Sequence, residues 1–171
     1  MITLKAEAAL GRLQDKTTSS MFDFRDAIIE ELCKITDSEI AYFYASDANE
    51  EHLTLLGYSK SVMDSCMIID RPAVYRVDAT GLWGEAVRNR CPIVTNDYED
   101  SDNPAKRGLP EGHVPVQSHM NLPIFEGNRI VAIVGVGNKR GAYNETDIEN
   151  VRALMDGVWT QFREALWDAV W

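Results

Sequence analysis

Two neighbouring runs constrain this fold more than any other stretch of the chain. SHMNLPIF at 118–125 and RIVAIVGVG at 129–137 are rich in strand formers, with Gly127-Asn128 between them. A two-residue Gly-Asn connection is a tight hairpin signal, so the two runs pair antiparallel. Three further segments read as strands: EIAYFYAS at 39–46, HLTLLGY at 52–58 and AVYRVD at 73–78, with 93–95 a short fourth. Asp47-Ala48-Asn49-Glu50 turns the first into the second.

Helical patterns lie at both ends. Residues 2–15 place Leu4, Ala6, Ala8, Ala9, Leu10 and Leu13 in a loose helical stripe. Ser20 is a natural N-cap for a second helix, which aligns Phe24, Ile28, Leu32 and Ile35. Thr80 and Gly81 precede a short helix over 82–90, stopped by Pro92. Asn144 caps the last helix, whose Glu145, Asp147 and Glu149 suit its positive end. That helix is expected to reach Trp171. Its Ile148, Val151, Met155, Val158, Phe162, Ala165 and Ala169 recur about every 3.5 residues, the spacing of a coiled-coil seam. A second stripe of Leu154, Trp159, Leu166 and Val170 is expected to pack on the sheet. The order predicts an α+β fold with a mainly antiparallel sheet and both terminal helices on one face. Residues 1–19 read as a helical lead-in and 20–171 as one domain. Residues 96–117 form a loop with three Pro, two Gly and five acids, a length typical of lids and binding loops.

Charge narrows the partners. The chain carries 17 basic and 27 acidic residues, a formal charge of −10. Nucleic acid needs a concentrated basic patch, and anionic lipid would be repelled, so neither is expected as a partner. No run approaches the roughly 18 apolar residues of a membrane helix, and the N-terminus has no secretory pattern. Cys33, Cys66 and Cys91 form no paired spacing, which predicts a reducing cytoplasm and dispensable, core-like thiols.

Most chemical motifs fail on inspection. Gly135-x-Gly137 lacks the third glycine and the following helix of a dinucleotide site. The acids at 97–103 place Pro104 and Ala105 where a calcium loop needs a ligand and a glycine. Cys91, His113 and His119 match no metal-ligand spacing, and no nucleophile elbow occurs. No cofactor, metal or catalytic residue is expected.

One signature survives: Asn138-Lys139, then Tyr143, then Asp147. It resembles the NK…F…DE signature of GAF domains, with Tyr for Phe and Ile148 after the aspartate. GLWGEAV at 81–87, Pro92-Ile93-Val94 with Asn96-Asp97-Tyr98, and the 118–137 hairpin are similar to further GAF segments in the same order. The resemblance covers roughly residues 20–165. It looks like the GAF domains attached to bacterial sensor kinases and cyclic-nucleotide enzymes. It implies a five- to six-stranded sheet, terminal helices on one face, and a ligand pocket under a lid on the other. Lys139 pairing with Asp147 would pin the last helix to the sheet edge. Free methionine sulfoxide reductases of this fold need cysteines in the helix-start region and lid. Here Trp83 stands in the helix start and 96–117 has no Cys.

The expected pocket residues are Phe43 of the first strand, Trp83 of the short helix, and Asp97, Tyr98 and His113 of the lid. His119 and Asn121 of the hairpin complete the set. Alternation alone leaves open which face of strands 39–46 and 118–125 meets the ligand: Tyr42 and Tyr44 or Phe43 and its neighbours, and Ser118, Met120, Leu122 and Ile124 or His119, Asn121, Pro123 and Phe125. The expected function is sensing of an unknown small molecule in a cytoplasmic signal-transduction protein of the two-component type. A parallel homodimer through the terminal helices would pass the signal to an output domain. A dimerisation-only domain with a filled pocket is the alternative, and a small redox enzyme a distant third.

Overall fold

A computed structural model describes residues 3–17, 20–60, 74–109 and 113–167. Cys66, Ala73 at the start of an expected strand, lid residues 110–112 and the expected end of the last helix at 168–171, with Ala169 and Val170, lie outside the described residues. Two helices, α1 (Leu4–Gln14) and α2 (Met21–Thr36), precede β1 (Ser38–Ser46) and β2 (His52–Tyr58). Next come β3 (Val74–Arg76), two single 3-10 turns (Val77–Ala79 and Leu82–Gly84) and α3 (Glu85–Arg88). Then follow β4 (Ile93–Thr95), β5 (His119–Glu126), β6 (Arg129–Lys139) and α4 (Glu145–Trp167). The sheet has six strands in the order β3-β2-β1-β6-β5-β4, and its pairs are antiparallel. The expected hairpin is the β5–β6 pair, closed at Glu126–Arg129, with Gly127 at φ 61°.

The local signals explain most boundaries. The Ser20 hydroxyl accepts from the Asp23 N–H, capping α2. Asn144 Oδ1 accepts from the N–H groups of Thr146 and Asp147, while the Asn144 N–H donates back to Asp147 Oδ2. This reciprocal cap fixes the start of α4. The helix expected over 82–90 is broken into a 3-10 turn and one α-turn. The Thr80 side chain occupies the space beside Gly84, where a Cβ would lie 1.6 Å from Thr80 Oγ1. The strand expected over 73–78 is shorter, because Val77 enters a 3-10 turn and accepts from the Thr80 N–H.

The helices cover one face of the sheet. Phe24 and Phe162 meet edge to face at 5.5 Å, joining α2 to α4. From the sheet, Ala41, Phe43, Met120, Leu122 and Val134 enter the same core. α1, read from the sequence as a lead-in, contributes Ala6, Ala9, Leu10 and Leu13 to it. The 3.5-residue spacing of α4 serves packing within the chain over its described part. Ile148, Val151, Met155, Val158 and Phe162 are all buried within this one chain, between α1, α2 and the sheet. Leu154 and Leu166 of the second stripe are buried with them. A helix buried on two sides needs two apolar stripes, and here the chain itself fills both. At these five positions the seam is covered within the chain itself. Among the described residues no helix is long and apolar enough to cross a membrane.

Candidate functional site

The opposite face of the sheet carries a cavity of about 540 Å³. Its floor comes from β1 and β6. Tyr42 pairs across the sheet with Gly135, and a Cβ on Gly135 would lie 2.2 Å from the Tyr42 ring. The Gly135-x-Gly137 pattern thus clears space for a tyrosine and a cavity. Its side wall is aromatic. Tyr44 and Trp83 stack at 4.9 Å with planes 19° apart, and Tyr75 meets both edge-on. Arg88 shapes this wall, donating to the carbonyls of Val77, Thr80 and Gly81 and to Thr80 Oγ1.

The deep end is a polar relay. The Tyr42 hydroxyl donates to Asn121 Oδ1 at 2.5 Å, and Asn121 Nδ2 lies 2.8 Å from His119 Nδ1. With Oδ1 accepting, Nδ2 donates to Nδ1, so the neutral ring carries its proton on Nε2. Burial pushes the His119 imidazole down to about 4, and pushes the Tyr42 hydroxyl up. His119 Nε2 is shielded from solvent and has no hydrogen-bond partner among the described residues. The Tyr98 ring covers the imidazole edge-on at 5.7 Å.

The lid is braced internally and tied to the body. Within it, the Tyr98 N–H donates to the Gln117 carbonyl and Lys106 lies 4.9 Å over the Tyr98 ring, while Asn103 Nδ2 donates to Glu85 Oε2 of α3. The two ends of the lid attach to the end of β6 and to the connection that follows it into α4. Asn96 Oδ1 accepts from the Tyr143 N–H, and Asn96 Nδ2 donates to the Tyr143 carbonyl. Asn138, at φ 55°, accepts from the Gln117 N–H and donates to the Pro115 carbonyl. Lys139 pairs with Asp147 at 2.5 Å, and both side chains are largely buried. The Tyr143 and Ser38 hydroxyls bond at 2.7 Å. Each residue of the 138–147 signature thus has a structural task.

Four of the seven expected pocket residues line the cavity: Trp83, Tyr98, His113 and His119. Asn121 is fully buried behind the wall and reaches the cavity only through His119 and Tyr42. Two expectations are corrected. Phe43 points into the helix-side core, because Tyr42 and Tyr44 take the cavity face of β1. Asp97 lies exposed in a turn, where Oδ1 accepts from the Asp100 N–H. His113 Nδ1 donates to the Val114 carbonyl, so one of its nitrogens holds the lid backbone. Sequence reasoning missed Tyr75, Arg76 and Arg107, which also line the cavity. The glycine at 135, facing Tyr42, was a usable signal for the floor.

The comparisons agree with this arrangement. A family profile described as GAF domain matches residues 19–161. A methyl sulfide methyltransferase-associated sensor of Methanosarcina acetivorans is 43% identical over 163 residues, covering 92% of this chain and 16% of that protein. The chain therefore spans about a sixth of that relative's length. Residues 122 to 287 of a methyl-accepting chemotaxis protein superpose with a TM-score of 0.69 at 14% identity, covering 92% of this chain and 96% of that one. A free methionine-R-sulfoxide reductase of Neisseria meningitidis, in complex with its substrate, gives 0.61 at 13% identity, covering 96% of each chain. With its antiparallel sheet, helical face, lidded cavity and NK…Y…D lock, the chain belongs to the GAF domain family.

Proposed function

We propose that this chain is a small-molecule-sensing regulatory domain. Ligand state in the cavity biases the lid, and the lid biases α4. The observation that carries this reading is the pair of lid attachments. Asn96 at one end and Asn138 at the other bind the lid to the segment that enters α4. A ligand that shifts the lid changes the contacts of that segment directly, giving the two states a differential energy. The sequence relative named a sensor supports the sensory reading; a cytoplasmic signalling protein of the two-component type is the setting we propose for it.

The open cavity favours sensing over a dimerisation-only domain with a filled pocket. A non-enzymatic role is supported by the cysteines among the described residues: neither Cys33 nor Cys91 lines the cavity, and no residue of 96–117 is a cysteine. Self-association through the terminal helices, if retained as part of the signal, has exposed Leu4 and Phe22 to use rather than the buried seam.

Native mass spectrometry tests the proposal. The chain is incubated with the small-molecule fraction of a cell extract, beside a cavity-blocked Val116→Trp variant. One retained ligand per domain in the wild type, lost in the variant, is expected. No retained mass, or equal retention by the variant, would overturn it.

A further inference from the structure

The charge of the cavity differs from that of the chain. The protein carries a formal charge of −10 with 27 acidic residues. Among the described residues lining the cavity there is no aspartate or glutamate, but there are two arginines, Arg76 and Arg107. Arg76 pairs with Asp78 at 2.6 Å. Arg107 differs. Its guanidinium donates only to backbone carbonyls, of Ala79 at 3.2 Å and Asp78 at 3.5 Å, and has no carboxylate partner among the described residues. Its stem packs beside Gly81, so it extends from the lid to the wall across the cavity mouth.

The remaining surfaces specify the body of the ligand. The Tyr44–Trp83 stack, with Tyr75 nearly perpendicular to both, forms an aromatic, apolar side wall. His119 holds an unpartnered N–H at the deep end. That ring is neutral at pH 7, so the fixed positive charge at the cavity comes from the arginines.

We propose that the cavity selects an anionic ligand with a flat aromatic body, its charge held by Arg107 at the lid and its ring laid against Trp83. The inference rests on the reading of the cavity as a ligand site and adds the chemical class. A guanidinium that now binds two neutral carbonyls gains a charge-assisted bond when the anion arrives. Because Arg107 sits in the lid, that bond also draws the lid toward the ligand. The described lining holds none of the carboxylates common elsewhere on the chain, which would repel an anion and admit a cation.

The folded chain is titrated with 1-anilinonaphthalene-8-sulfonate, an anionic flat aromatic probe, and with the cationic dye thioflavin T. Binding is read by energy transfer from tryptophan. Thermal stabilisation separates native-state binding from adsorption to unfolded chain. Amide NMR shifts of Trp83, Tyr98 and His119 locate the probe. The sulfonate should bind at one site and raise the unfolding temperature, roughly tenfold or more tighter than the cation, as one charge-assisted hydrogen bond implies. Arg107→Gln should lose about that factor for the sulfonate alone, and Arg107→Lys should recover part of it. Equal binding of the cation, or an unchanged Arg107→Gln affinity, would overturn the anionic class while leaving a ligand cavity in place. If neither probe shifts the cavity residues, the class and the ligand-site reading both fall.

Discussion

Gly135 and Tyr42 show how single positions make this site. The Tyr42 ring occupies the space a Cβ at 135 would need, and its hydroxyl there begins the relay to Asn121 and His119. Gly135→Ala should therefore expel the ring and cost about 1–3 kcal/mol, the range for an overpacked core. Loss of the His119–Asn121 NMR coupling would report the broken relay. His119 makes a second prediction. Its folded pKa of about 4 lies below the ordinary 6.5. Above about 6.5 both states are neutral and the residue leaves stability independent of pH. Between 6.5 and 4 the unfolded chain takes up the proton and the folded chain does not, so stability falls as pH falls. The cost is on the order of 3 kcal/mol once pH reaches about 4. Urea unfolding of wild type and His119→Gln at pH 7 and pH 4 checks this, and the wild type should lose about that much more. At this scale the sequence placed Trp83, Tyr98, His113 and His119 at the cavity, and Asn121 one layer behind it. Phe43 was misplaced because strand alternation gives two faces without saying which is which. The pairing of Tyr42 with Gly135 decides it, and pairing is a property of the folded sheet.

At the scale of elements, the strands and the cap of α4 were legible, since turns, strand formers and caps act locally. The Lys139–Asp147 pair followed from the signature and forms as expected. The use of the α4 seam was not legible. A spacing of three and four suits a helix on a second helix and equally a helix wedged between a sheet and its own neighbours. The attachments of Asn96 and Asn138 join residues 47 and 21–23 positions apart, beyond any local pattern. They yield the third prediction. Asn96→Ala removes two hydrogen bonds to Tyr143 and should lower stability by about 1–3 kcal/mol. It should also release residues 96–109 from the β6–α4 connection. Amide exchange would then rise at both the lid and the first turn of α4. A rise in the lid alone would mean that the two are not coupled.

For the whole molecule, one core joins α1, α2, α4 and one face of the sheet, while the lid and aromatic wall enclose the other face. Val158 and Phe162 lie in that core, at 0% and 5% exposure. Their joint replacement by Glu should unfold the chain, because two charges would be buried without partners. Circular dichroism checks this. A folded, monomeric double variant would restore the seam to the surface and contradict the packing described above. The central claim is that occupancy of the cavity reaches α4 through the lid. Hydrogen exchange of the full chain with and without 1-anilinonaphthalene-8-sulfonate tests it most directly. Protection should rise at 96–109 and 113–117 and, with it, at 144–160. Bound probe that protects only the sheet, and leaves 144–160 exchanging as before, would contradict the account.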